Sequence, residues 1–338
     1  MVKQKHYNIP IFIAERGCPN QCVFCNQKKI SGRLHIPEPS DVKQIIEDYL
    51  STMPEAGAVI EVGFFGGSFT ALEISLQRSY LKEVSPYLSR GRINSIRLST
   101  RPDAVSIPIL ENLKNFGVKT IELGVQSFDD GVLRKSGRGY GIDEIVQASR
   151  LIKGMGMRLG VQLMLGLPGD SFHLSIESAR RAVELGADDV RLYPTLVIRG
   201  TELEEWFNQR RYAPLSLEDA VRWGKEMVKI FEEAGVNLIR LGLHPSDGLL
   251  NGSDLVAGPF HPAFRELVFT SLWWDNFQNL PYLYPGEKSL EIFLASEELP
   301  YAVGHGSENK KKLLGYFKNV NFSPEAQFNG RDYLVLSH

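Results

Sequence analysis

Between about Ile9 and about Leu243, β-rich apolar runs alternate with segments whose apolar residues recur at helical spacing. Few architectures tolerate such a rhythm. Strands joined by helices pair in parallel, and the right-handed crossover curls the series into a barrel or a curved part-barrel. The sequence predicts strands at Ile9–Ala14, Val59–Phe65, Ser95–Ser99, Thr120–Val125, Arg158–Leu165 and Val190–Leu196, with Asn237–Leu243 as an additional candidate. Helices are predicted at Asp41–Met53, with Ser40 as N-cap, and at Ile107–Asn115, Ile142–Lys153, Leu174–Leu185 and Leu217–Glu233. Gly117, Gly154, Gly186 and Gly235 follow four of these and are expected to end them in the left-handed conformation. Past Pro245 the rhythm changes to a Gly- and aromatic-rich stretch. We therefore expect one unit over residues 1–245 and a small α+β unit over 246–338, with a strand at Leu290–Ala295, a helix at Glu308–Phe317 and a strand at Tyr333–Leu336.

The 338 residues are 43% apolar and 23% charged, a composition that folds rather than one that stays disordered. A net charge of -2 leaves no global positive field to draw the chain onto nucleic acid, so any such contact has to be local. The opening residues carry no secretory h-region, and no stretch approaches the roughly 18 apolar residues of a membrane span. A cytoplasmic location without membrane contact is expected. The cysteines agree: three, all within the first thirty residues, fit metal binding better than a disulfide framework.

Those cysteines stand as Cys18-Pro-Asn-Gln-Cys22-Val-Phe-Cys25, just after the first predicted strand. Three thiolates in one loop can hold three corners of a cubane cluster and leave one iron open, as a catalytic cluster needs. Zinc or a simple electron-transfer cluster is the alternative. It lacks a fourth cysteine, and His35 is the nearest histidine. Phe64-Phe65-Gly66-Gly67-Ser68-Phe69-Thr70 ends the second strand; its glycines could admit a ligand to the backbone or simply make a turn. Further motifs close later strands: Leu98-Ser99-Thr100-Arg101-Pro102-Asp103, Glu122-Leu123-Gly124-Val125-Gln126-Ser127-Phe128, Gly137-Arg138-Gly139-Tyr140 and Leu165-Gly166-Leu167-Pro168-Gly169. Strand ends of this kind share one rim, which in barrels is the catalytic face.

The three-then-two cysteine spacing, with Phe24 before the last cysteine, resembles the signature of the radical S-adenosylmethionine (SAM) superfamily. Together with Thr100-Arg101-Pro102-Asp103, Gly124-Val125-Gln126-Ser127 and the stretch from Tyr193 to Thr201, it resembles the branch containing the Elongator catalytic subunit and the oxygen-independent coproporphyrinogen oxidases. The likeness to the Elongator subunit is the closer of the two and spans about residues 8–245. It implies a partial (β/α)6 TIM-type barrel, a [4Fe-4S] cluster on Cys18, Cys22 and Cys25, and an enzyme that cleaves SAM to a 5'-deoxyadenosyl radical, which takes hydrogen from a substrate.

Carried over residue by residue, the resemblance puts Phe24 at the adenine, Gly67 and Ser68 at the methionyl part, Ser99 and Gln126 at the ribose or nearby polar groups, and Arg138 at the SAM carboxylate. Gln162 and Ser99 stand where coproporphyrinogen oxidases carry acidic residues. Gln126 and Gln162 could instead satisfy backbone groups of the rim. Arg191 and Tyr193 are the substrate-facing candidates. A flavodoxin or ferredoxin would supply the electron. With no further cysteines and no room for an acetyltransferase domain, the chain is not expected to carry out the full wobble-uridine reaction alone; a tRNA nucleotide is one candidate substrate, and a tetrapyrrole enzyme or a haem- or cluster-binding protein without turnover is the alternative. The segment Gly304-His305-Gly306-Ser307-Glu308-Asn309-Lys310-Lys311-Lys312 could meet an RNA phosphate, although lysine runs are commonly solvated helix faces. His244, His261 and His305 read as ordinary hydrogen-bonded residues or pocket lining, and Trp273 and Trp274 as core or domain-interface residues.

Overall fold

A computed structural model describes residues 5–338 apart from 15, 19–21, 33, 34, 55 and 56. Seven parallel strands, β1 (Lys5–Phe12), β2 (Ala58–Phe65), β3 (Ser95–Thr100), β4 (Val118–Gln126), β5 (Arg158–Leu165), β6 (Asp189–Pro194) and β7 (Asn237–Leu241), pair in sequence order. The six crossovers contain α1 (Val42–Leu50), α2 (Ile74–Ser89), α3 (Ile107–Asn115), α4 (Ile142–Gly154), α5 (Phe172–Glu184) and α6 (Leu217–Glu233). The additional candidate strand at 237 is real, so the curled sheet has a seventh strand. β1 and β7 remain its free edges, and the half-barrel stays open between them.

Strand residues facing the helices form the apolar core, including Ile9, Ile11, Val62, Phe64, Leu98, Ile121, Leu163 and Leu192, all fully buried. Gly117, Gly186 and Gly235 adopt the left-handed conformation as expected, but Gly154 does not: α4 runs one residue further and Gly156 makes the turn at φ 71°. Helix α2 was not predicted; it carries Pro86 inside its last turn, a residue that masks a helical pattern.

The barrel interior is polar and ionic in the N-terminal half of the strands. Arg97 reaches Glu61, Glu122 and Asp189 at 3.3, 3.2 and 3.1 Å, Arg158 holds Asp189 at 2.8 Å, and Arg191 takes Glu122 at 2.5 and 3.1 Å. Three carboxylates meet three guanidiniums, so the charges cancel: Arg158 is half-exposed at the edge of the barrel floor, and the others fill it.

A second core lies under a three-stranded sheet made of β8 (Ser289–Leu294), β9 (Asn319–Pro324) and β10 (Tyr333–Ser337), with β8 in the middle. Helix α7 (Phe264–Phe277) joins the two cores: Phe264, Val268, Phe269 and Leu272 pack on the barrel, and Trp273 and Phe277 on the sheet. Apolar residues all around this helix hid its period from the sequence. Trp273 is fully buried and donates to Glu298 at 2.9 Å. Lys225 and Lys229 of α6 clasp Asp275 at 2.9 and 2.7 Å, tying the helix to the barrel.

Burial opposes the charge of Glu61, but a hydrogen bond from His6, the Arg97 guanidinium and the Ser95 hydroxyl outweigh it and hold the carboxyl at about 2, below the ordinary 4.5. A carboxylate depressed on folding stabilises above its unfolded value and loses that contribution as pH falls toward its folded one. Urea midpoints of the wild type and Glu61→Gln should therefore differ most at neutral pH and converge as pH falls from about 5 to about 2. A gap unchanged across that window would contradict the ionic floor.

Candidate SAM and cluster site

β1 ends at Phe12, and the chain then runs back over the end of β2. Ile13 N donates to Phe65 O at 2.8 Å and Ser68 N to Arg16 O at 2.9 Å, so the cysteine loop is fastened to the glycine-rich strand end by backbone bonds. Glycine is required at this seam. A Cβ on Gly67 would lie 2.5 Å from both Ile13 O and Arg16 O, and one on Gly17, at φ 75°, would collide with Ser68 O. The glycine pair is therefore more than a turn, because it is the bed on which the loop lies.

The loop presents three cysteines outside any disulfide: Cys18 exposed, Cys25 partly buried and Cys22 buried. Residues 19–21 of the motif lie outside the described residues. Among the described residues no three His, Cys, Asp or Glu side chains converge on one metal ion. A cubane asks for one thiolate on each of three irons, so its ligands do not share a centre. Burial pushes the Cys25 thiol up to about 12, with the charge of Cys22 adding to the effect, and burial followed by Cys22 also raises Cys18. Cys18 and Cys25, crowded beside Cys22 and resisting ionisation, suit a cationic iron centre, which would stabilise thiolates there.

Arg138 reaches this loop from the far side of β4. Its Nη1 donates to Cys22 Sγ at 3.0 Å, its Nη2 to Gly124 O at 2.7 Å and its Nε to the Tyr140 hydroxyl at 2.6 Å, while Tyr140 in turn donates to Gly124 O. Arg101 covers the other face of the Tyr140 ring, 5.0 Å from its centroid, and donates to Arg138 O at 2.8 Å. Burial opposes the Arg138 charge, but Tyr140 and Cys22 hold its pKa above the usual arginine value. A five-donor guanidinium with three donors committed keeps two for a further acceptor.

Gln126 ends β4 at φ 70°, a conformation that non-glycine residues seldom adopt. Its Oε1 is buried with no hydrogen-bond partner. Gln162 points into the barrel and donates to Ser99 Oγ at 3.0 Å and Glu122 Oε2 at 3.2 Å. Ser68 is otherwise occupied: its hydroxyl is buried, pairs with Thr100 Oγ1 at 3.0 Å and accepts from Arg101 N at 3.2 Å, and its N–H is spent on Arg16 O, so the carbonyls at 67 and 68 are what a ligand could use. Phe24 is buried with Cys22, Val132 and Leu167 beside the loop. Arg191 and Tyr193 face the lumen, with Arg191 on Glu122 and stacked 5.0 Å from the Phe65 centroid. Sequence reasoning missed the positioning residues Tyr140, Arg101 and Gly124, whose motifs it had marked only as rim.

Residues 13–182, about half of the chain, match the Radical SAM superfamily. The chain belongs to that family. It is a radical SAM enzyme, and the family implies SAM and a [4Fe-4S] cluster as cofactors. Residues 187–273 match the Radical SAM C-terminal domain. The tRNA uridine(34) acetyltransferase of Dehalococcoides mccartyi is 25% identical over 230 residues, which is 58% of this chain and 50% of that protein. Human Elongator complex protein 3 is 29% identical over 182 residues, 48% of this chain and 33% of that protein. The chain thus spans about half the length of the acetyltransferases it matches. A solved structure of Methanocaldococcus infernus Elp3 with an N-terminal deletion shares the fold, with a TM-score of 0.64 at 22% identity, covering 81% of this chain and 64% of that one. No helix among the described residues is long and apolar enough to cross a membrane.

A methyl group at Gly67 has to push the cysteine loop off the strand end. Gly67→Ala should cost about 1–3 kcal/mol of local packing and lower the iron bound per chain after anaerobic reconstitution, with far-UV circular dichroism unchanged. Full iron loading in that variant would show that the seam does not position the thiols.

Proposed function

We propose that Cys18, Cys22 and Cys25 hold a [4Fe-4S] cluster at the barrel rim, that SAM binds beside it and is cleaved reductively, and that the substrate is a nucleotide in RNA. The reading is carried by one observation: three cysteine thiols, none in a disulfide, on a backbone-fastened rim loop, with the Arg138 guanidinium 3.0 Å from the middle one. When bound, the reduced cluster and SAM supply a 5'-deoxyadenosyl radical that takes a hydrogen atom from the substrate.

The chain's own residues bind and orient. Arg138 offers its two remaining N–H groups to the SAM carboxylate, locked by Tyr140 and Gly124 so that little rotamer freedom is lost on binding. The backbone at Gly67 and Ser68 faces the methionyl amino group, and Phe24 lies along the adenine. The unpartnered Gln126 Oε1 is an acceptor that a ribose hydroxyl would satisfy. Ser99 and Gln162, already bonded to each other, line the wall below. Arg191 and Tyr193 meet the substrate deeper in the lumen. A flavodoxin or ferredoxin delivers the electron at the exposed side of the loop, where Cys18 lies.

RNA is favoured because the relatives matched by most of the barrel are named for tRNA uridine 34. The C-terminal lysines add little to this reading. Lys311 donates to Gly306 O at 2.8 Å, and Lys312 pairs with Glu308 at 2.6 Å over the Trp274 ring, so both behave largely as a helix face.

Anaerobically reconstituted, dithionite-reduced protein should form 5'-deoxyadenosine from SAM, and Cys22→Ala should reduce this to background. Added tRNA should raise the yield above that with nucleosides or small metabolites. No 5'-deoxyadenosine under any condition would end the enzymatic reading, and stimulation by small metabolites alone would end the RNA reading.

A further inference from the structure

Arg240 is the charge that the barrel interior does not balance. The three guanidiniums of Arg97, Arg158 and Arg191 are matched by Glu61, Glu122 and Asp189, whereas Arg240 has no carboxylate within ion-pair distance among the described residues. Among the described residues its one hydrogen bond runs from Nε to Gly242 O at 2.9 Å, which leaves the terminal nitrogens without a bond there. The neighbouring cation Arg265 also lacks an acidic partner: it lies over the Phe269 ring at 4.6 Å and donates to Tyr301 at 3.3 Å. Burial lowers the pKa of Arg240, and the positive charges of Arg191 and Arg265 add to this, with Tyr193 and, from beyond ion-pair distance, Glu266 opposing. A half-buried cation beside two like charges is costly unless an anion arrives.

The backbone takes a special step to bring this residue inside. Asn237 is opposite Asp189 and donates to it at 3.0 Å, and Leu238 is opposite Val190, but Arg191 is opposite Arg240 because Ile239 is bulged out of the ladder. With regular alternation, Asn237 inside would put position 240 outside. The bulge resets the phase and turns Arg240 onto the lumen face beside Arg191, which bonds Glu122 and Tyr193 and still has N–H donors to spare among its five. Both side chains are partly exposed and stand at the β7 edge, where the half-barrel is open.

We propose that Arg240 and Arg191 form an oxyanion site inside the barrel that binds a phosphate group of the substrate. Two guanidiniums on adjacent strands suit a tetrahedral phosphate, which can accept from both, better than a single carboxylate that one fork already saturates. The assignment deepens the proposed function, since it rests on a nucleotide substrate entering from the open edge. It places a phosphate, rather than the base, against β6 and β7, leaving the sugar or base nearer Gln162 and the rim.

Calorimetric titration of the reconstituted enzyme with SAM tests this, using uridine monophosphate, the dinucleotide UpU and uridine as probes. At least one phosphate-bearing probe should bind more tightly than uridine. Binding of the monophosphate alone assigns a terminal phosphate, and binding of UpU an internal one. Arg240→Gln should weaken that binding at least about tenfold, with Arg240→Lys retaining part of it. In the absence of ligand, Arg240→Gln should melt at or above the wild-type temperature, because an unpaired charge leaves the interior. Uridine binding as tightly as both phosphate probes, unchanged phosphate binding in Arg240→Gln, or early melting of that variant would each overturn the site. Calorimetry reads binding of a phosphate probe without SAM cleavage, so the site and the reaction are tested separately. A wild-type protein that binds it but makes no 5'-deoxyadenosine would sink the proposed reaction and leave the phosphate site standing.

Discussion

The rest of the site depends on a seam between two pieces of backbone. The strand end at Gly66, Gly67 and Ser68 accepts the loop that follows β1, through Ile13 N to Phe65 O and Ser68 N to Arg16 O, with no side chain between them. Because Ile13 and Arg16 are bonded to the sheet's C-terminal edge, the cysteines that follow stand at the barrel mouth, Cys22 buried and Cys18 exposed. That placement lets an arginine from the next rim loop but two, Arg138, reach Cys22. Each contact is short in space and long in sequence, so the site forms only when the sheet has paired.

Electrostatics divide the barrel into a floor and a mouth. The floor is neutral in sum, its carboxylates and guanidiniums crossing from strand to strand, and Gly160 leaves the space that the Glu122 side chain fills. Outside that network, donors and acceptors remain unspent among the described residues: the Gln126 amide oxygen, two N–H groups of Arg138 and the terminal nitrogens of Arg240. Unspent polar groups in a half-enclosed space are where ligands gain affinity, since the unfolded chain and water offer them no better partner. A floor that consumes its own charge and a mouth that does not is an arrangement suited to binding one polar cofactor and one anionic substrate.

Much of the fold was legible because its signals are local. Apolar strands bounded by Gly117, Gly186 and Gly235 read correctly, and helices α3 and α6 begin and end at the predicted residues. The cysteines were equally plain, since their meaning lies in spacing. Helix α7 was not legible because burial on two sides erases amphipathic period, and strand β9 was not because three of its six residues are exposed or half-exposed polar ones. The locking of Arg138 by Tyr140 and Arg101 depends on the approach of two loops, and the turning of Arg240 depends on a one-residue bulge. Neither register nor loop approach is written in a single strand's pattern.

The central claim is that the three thiolates leave one iron of the cluster free for SAM. Electron paramagnetic resonance of the reduced enzyme with SAM labelled with nitrogen-15 at its amino group tests it directly, because only an iron-bound nitrogen gives a strong hyperfine coupling to the cluster spin. The account predicts that coupling, together with a change in the cluster signal when SAM is added. A signal indifferent to SAM, with no nitrogen coupling, or zinc in place of iron, would contradict it.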